Sequence, residues 1–116
     1  MADIEFTSNA DDILSDLEKG KRNALTAIGA TAETHTKENI TADKLVDTGR
    51  LRNSISHAVD GESAYIGTNV EYAPYLELGT KKITAHHYLK RAVTEHQDEY
   101  KKLTAQAIKT AINNSQ

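Results

Sequence analysis

Between residues 51 and 68, in LRNSISHAVDGESAYIGT, the apolar residues stop recurring every three or four positions and begin to alternate. At the centre stands Asp60-Gly61, a dipeptide that favours a two-residue β-hairpin turn. Folding the chain there pairs Val59 with Glu62, His57 with Ala64 and Ile55 with Ile66. These pairs share a face, and Val59, Ala64, Ile55 and Ile66 make it mostly apolar. Register and hydrophobic pattern agree on a hairpin with Ile55 and Ile66 turned towards the helices.

Both flanks read as helix. Ile13, Leu14, Leu17, Ala24, Leu25, Ile28 and Ala32 follow at helical spacing, so one face is apolar. Ser8 or Asn9 reads as the N-cap, with Asp11 or Asp12 at the third helical position. Gly20 and Gly29 each weaken such a helix by roughly 1 kcal/mol against alanine, and a bend or break is expected near Gly20. Upstream, DIEFT at residues 3–7 alternates like a short edge strand. Downstream, the pattern fades by Ile40 and TADKLVDTG reads as loop. After Ala85, a stripe from Leu89, Ala92 and Val93 through His96, Tyr100 and Leu103 to Ala107, Ile108, Ala111 and Ile112 predicts one long amphipathic helix ending near NNSQ.

The only proline, Pro74, lies in NVEYAPYLELGT (69–80) with two of the five tyrosines. Proline suits the first turn of a helix, where its missing N–H has no partner to lose. Pro74 is therefore expected to open a short helix through Tyr75, Leu76, Glu77 and Leu78, with Gly79 as left-handed cap. So short a helix has no stability of its own, and Tyr72 and Tyr75 are expected to hold it against the hairpin. Tyrosines on a rigid backbone also make good interface anchors. The expected fold is α+β, a single domain over residues 1–116. Its small antiparallel sheet, a central β-hairpin, packs against a long N-terminal helical segment, a short middle helix and a long C-terminal helix.

Charge and composition narrow the function. Net charge is −3, with eight acidic and four basic residues over 1–40, six and seven over 41–91, and three of each after that. No basic stripe appears, which disfavours tight binding to nucleic-acid phosphates. No apolar run is long enough for a membrane span, and MADIEFTSNADDIL has no basic segment followed by an apolar one, so no secretory signal is expected. Without cysteine there are no disulfides or thiolate metal sites, which fits a reducing compartment.

Catalytic patterns are not evident. There is no Gly-x-Ser-x-Gly, and Glu71 and Glu77, six apart, do not share a helical face. TGRLRNS lacks the spacing of a phosphate loop, so Thr48 reads as a helix N-cap or loop clamp, with Arg50 and Arg52 available for salt bridges. His86-His87 point about 100° apart on a helix, and no carboxylate spacing completes a site with His35, His57 or His96. No metal, cofactor or enzymatic activity is expected, and His57 and His96 read as boundary residues. Lys81-Lys82 and Lys90-Arg91 form a small basic cluster, read as a solvated face or as a contact for an acidic neighbour such as residues 11–16.

Three segments carry a family resemblance. VDTGRLRNSI (46–55), IGTNVEYAPYLELGTKK (66–82) and TAHHYLKRAV (84–93) resemble the tail-completion, or neck, proteins of long-tailed double-stranded DNA phages. Thr48, Gly49, Leu51 and Ser54 match that family's Thr-Gly-x-Leu-x-x-Ser segment. Tyr72, Ala73, Pro74, Tyr75, Glu77, Gly79 and Thr80 match its Tyr-Ala-Pro-Tyr-x-Glu-x-Gly-Thr segment. In the third, Ala85, Tyr88 and Leu89 fit, while Thr84 and His87 stand where prolines are usual.

The resemblance implies a structural virion protein of the head–tail interface, forming a ring in the neck that completes the tail and joins it to the DNA-filled head. Thr48, Gly49, Arg50, Leu51, Tyr72, Pro74, Tyr75, Glu77, Gly79 and Thr80 are then the expected assembly or motif residues. Implied partners are a connector, tail terminator or tail tube, and further copies in a hexameric or dodecameric ring. DNA would pass through its lumen without specific binding, and no membrane is involved. The location would be the virion, and the host cytoplasm during assembly. The alternative is a small nucleic-acid-binding or regulatory protein built from the same helices and hairpin.

Overall fold

The computed structural model describes the backbone of residues 2–45 and 48–114, and the side chains of residues 11–45 and 49–113. The order is α1 (Ala2–Ala42), α2 (Thr48–Ser54), β1 (Ser56–Val59), β2 (Ala64–Gly67), α3 (Ala73–Leu78), α4 (Tyr88–Thr94) and α5 (Gln97–Asn114). The fold is α+β: mostly helical, with one two-stranded antiparallel sheet among the described residues.

α1 is the spine. Its 41 residues make a rod of about 60 Å. The chain extends 72 × 23 × 22 Å with a radius of gyration of 19.1 Å, against about 13 Å for a compact domain of this length. It runs unbroken through Gly29 and through Gly20, near which a bend was expected. Tertiary packing explains both glycines. A Cβ on Gly20 would stand 2.7 Å from Ala111 Cβ of α5, and one on Gly29 would stand 2.8 Å from His57 Cδ2 of β1. Nine residues separate the two, so they face roughly opposite sides of the helix. One admits α5, the other admits the hairpin.

α1 also takes in residues 3–7, read above as an edge strand, and Ser8 and Asn9, read as its cap; their side chains lie outside those described. At the other end the helix does not fade. Ile40 is fully buried, and the helix stops at Ala42, with Lys44 beyond it in the left-handed region (φ 52°). The expected loop is correspondingly short, since Thr48 already belongs to α2.

The hairpin forms with a different register. His57 pairs with Ile66 and Val59 with Ala64, leaving residues 60–63 as a four-residue connection. Neither Asp60 nor Gly61 has the positive φ that the expected two-residue turn demands. Asp60 builds the wider turn itself. Its Oδ1 accepts the Glu62 and Ser63 N–H groups at 2.8 and 2.7 Å, and its Oδ2 accepts the Tyr65 hydroxyl at 3.0 Å. These bonds, led by the two backbone amides, hold the Asp60 carboxyl below its ordinary pKa. The pairing moved by two positions, which preserves the faces. Ile55 is buried and Ile66 packs partly buried against the same core.

That core sits where α1 ends. Ile40, Leu45, Leu51, Ile55, Val70, Ala73, Leu76 and Tyr88 form one cluster joining α1, α2, α3 and α4. Beyond it, α1 and α5 pack together, with Gly20 of α1 set against Ala107 and Ala111 of α5. The expected single C-terminal helix is two, broken at Glu95 and His96. There the Tyr100 hydroxyl donates to the Ala92 carbonyl, and the His96 ring stacks on His35 of α1.

Candidate functional site

The expected assembly residues converge on α2, α3 and the loop from α3 to α4. α3 starts at Ala73, with Pro74 in its first turn as expected. Gly79 ends it, and its N–H bonds the Tyr75 carbonyl at 2.9 Å. The cap is not the expected left-handed one: Gly79 has φ 78° and ψ 168°, a region essentially reserved for glycine. A Cβ there would also meet Ala85 N at 2.8 Å and Ile83 O at 2.9 Å.

Thr80 closes the loop that follows. Its Oγ1 accepts the Lys82 and Ile83 N–H groups at 3.2 and 3.0 Å, and its own N–H bonds the Ile83 carbonyl at 2.8 Å. The loop then runs back along α3, with His86 N–H on the Leu76 carbonyl and His87 N–H on that of Glu77. His87 enters α4 in the left-handed region and offers no side-chain cap. Glu77 supplies one: its carboxylate accepts the Leu89 N–H at 2.8 Å and the Lys90 N–H at 3.1 Å.

The clamping role expected of Tyr75 falls to Tyr88 instead. Tyr75 is 56% exposed and does not clamp the helix, whereas Tyr88 is wholly buried and its hydroxyl bonds the Ala73 carbonyl at 2.8 Å. Burial first, then the nearby Glu77 and Tyr72, push the Tyr88 phenol up to about 12. Tyr72 packs partly buried on the core. Its ring lies 5.3 Å beneath the Arg50 guanidinium, which bonds Glu71 at 2.9 and 3.2 Å. Leu51 is fully buried, and Gly49 faces open space. Thr48 begins α2, but its side chain, read above as a cap or clamp, lies outside those described.

Much of the motif is therefore internal framework. On its outside, Tyr75 and Leu78 (70% exposed) present apolar surface. Gly67, Val70, Pro74, Leu78 and Leu89 line a cleft of about 400 Å³ between the end of β2 and α3. Exposed Lys81, Lys82 and Lys90 lie along the same loop and helix start. Arg91 leaves the expected basic cluster: it turns inward, bonding Asp43 Oδ2 at 2.9 Å and the His86 carbonyl at 3.0 Å.

Several ion-pairing residues were not legible in the sequence. His57 Nδ1 meets Glu33 at 3.2 Å, and His86 Nδ1 meets Asp43 at 3.3 Å. Burial raises the Glu33 carboxyl, but the bonds from His57 and Lys37 outweigh it and hold the group below its ordinary pKa. These pairs join segments far apart in the chain, so no spacing announces them. His35 meets Glu99 at 2.6 Å beside the stacked His96; here His96 and Glu99, three apart, were a signal that could have been read.

No helix among the described residues is long and apolar enough to cross a membrane. Comparison with curated proteins and with solved structures gave no match. The model of the family described as "Bacteriophage HK97-gp10, putative tail-component" matches residues 4–79, from α1 through the hairpin to the glycine that ends α3. With more than half of its length matched and the Tyr72–Gly79 motif built into the α3 framework, the chain belongs to the HK97-gp10-like family of bacteriophage tail components.

Proposed function

We propose that this tail component occupies a ring in the phage neck, completing the tail and joining it to the DNA-filled head, and that it acts by assembly rather than catalysis. The observation that carries the reading is the pairing of a rigid motif with apolar side chains left in solvent. Gly79, Thr80, Glu77 and Tyr88 lock α3 and its loop, while Tyr75 and Leu78 stand exposed on that frame beside the cleft. Exposed apolar groups on a rigid element mark contact surfaces. The far end of the molecule offers an unlike surface: exposed Ile13 and Leu14 among Asp11, Asp12 and Asp16 on α1. Lys81 and Lys82 beside α3 are complementary to it in charge. Unlike surfaces at two ends suit head-to-tail contacts, which generate rings where the rotation between neighbours closes.

A net charge of −3 suits a lumen that DNA crosses without sticking. The test is deletion of the gene from its phage, with the lysate viewed by electron microscopy. The expected result is filled heads and tails that fail to join, or tails of abnormal length, and no infectious particles. Normal infectious virions overturn the reading. Salt-dependent, submicromolar DNA binding by the purified protein would favour the nucleic-acid-binding alternative instead.

A further inference from the structure

α1 and α5 run antiparallel, and at the start of α5 three possible metal donors converge. The imidazoles of His35 and His96 lie face to face, with centroids 3.5 Å apart and planes within 2°. Glu99 Oε1 is 2.6 Å from His35 Nε2. One ligand atom from each of His35, His96 and Glu99 lies within 4.8 Å of the others. We propose that His35, His96 and Glu99 form a site for a divalent transition-metal ion of the zinc class, with Glu38 orienting His35.

The donor set suits that class: two imidazoles and one carboxylate leave a fourth position for water. His96 immediately precedes α5 and Glu99 lies in its first turn, so both reach the same side, while His35 comes from α1. A bound ion would therefore tie the α4–α5 junction to the spine.

The second observation is an unpartnered ring nitrogen on His35. An ionised carboxylate only accepts, so His35 Nε2 carries the proton in its bond to Glu99. His35 Nδ1 is buried and has no hydrogen-bond partner. The carboxylate of Glu38 stands 3.6 Å away, too far for a bond as placed. An ion at Nε2 takes that nitrogen's lone pair, and the imidazole proton then resides on Nδ1. There Glu38 is the acceptor, the carboxylate–histidine–metal arrangement common at such sites.

Some rearrangement is required. Ligand atoms around tetrahedral zinc lie about 3.3 Å apart, so the His35–Glu99 contact must open by about 0.7 Å. The stack must also tilt, because an imidazole lone pair lies in its ring plane and parallel rings cannot aim at one point. Glu99, with a side chain 49% exposed, is placed to move, while His35, at 16%, is held.

The test uses tag-free full-length protein titrated with Zn²⁺ and Co²⁺, followed by calorimetry, visible absorption and thermal unfolding. One ion per chain, intense tetrahedral Co²⁺ bands and a raised Tm are expected. His96→Ala and Glu99→Gln, both at partly exposed positions, should each weaken binding at least about ten-fold. His57→Gln should leave it unchanged. Nitrogen NMR of the His35 ring should show its proton moving from Nε2 to Nδ1 as Zn²⁺ is added. No stoichiometric uptake at micromolar metal, or uptake undiminished in both variants, overturns the proposal and leaves the cluster as a stack with an ion pair.

Discussion

Glu77 Oε1 accepts the backbone N–H of Leu89 at 2.8 Å, so a carboxylate on α3 caps a helix that begins ten residues after α3 ends. The first N–H groups of any helix lack internal partners, and an acidic group there also meets the positive end of the helix dipole. His87 cannot do this from its left-handed conformation, and Glu77 does it from outside the helix. Glu77→Ala should cost about 1–2 kcal/mol in denaturant unfolding, and Glu77→Gln, which keeps one acceptor, less. Equal stability of Glu77→Ala and wild type would refute the cap.

Gly79 is required twice over, by its dihedral angles and by the backbone atoms facing its missing Cβ. Neither Ala85 N nor Ile83 O can withdraw as a flexible side chain would. Gly79→Val should lower stability by about 2 kcal/mol or more. A melting curve that matches wild type would show that the loop has another available path.

Gly20 sets helix propensity against packing. Alanine there gains about 1 kcal/mol of intrinsic helix preference but meets Ala111 Cβ at 2.7 Å. Overpacking of this kind costs about 1–3 kcal/mol, so a net loss is expected for Gly20→Ala. Adding Ala111→Gly removes the colliding atom and should recover part of it. Chemical denaturation of the two variants checks both signs; stabilisation by the single change would mean that α5 packs less closely.

Tyr88 links stability to alkaline pH. Its folded pKa, pushed up to about 12 from 10.0, means that the native state keeps a proton which the unfolded chain releases. Its contribution is therefore complete below pH 10 and is lost as pH rises towards 12. Tyr88→Phe should cost about 1 kcal/mol at neutral pH, through the lost bond to Ala73, and should flatten the decline above pH 10. Unfolding curves across that range decide it, and an unchanged alkaline slope would assign the effect elsewhere.

Alternation and helical spacing by themselves determined the α+β class, the faces of the hairpin and the helical flanks, because these depend on the period of apolar residues in the local chain. Pro74 likewise marked α3, since its fixed φ and absent N–H act at its own position. Register did not follow from period. A shift of two positions leaves Val59 and Ala64 on the same face, and the choice fell to Asp60, whose carboxylate gathers two amides and a hydroxyl into a wider turn. The same limit applies to Gly20 and Gly29. Local propensity reads them as weak points, and only the approach of α5 and His57 turns them into contacts. Tyr75 and Tyr88 were likewise distinguishable only in three dimensions: one faces solvent and the other fills the core, although both are tyrosines on short helices. Ion pairs such as Glu33–His57 and His35–Glu99 bring together residues separated by dozens of positions, and that proximity exists only once α1 has gathered the rest of the chain along its length.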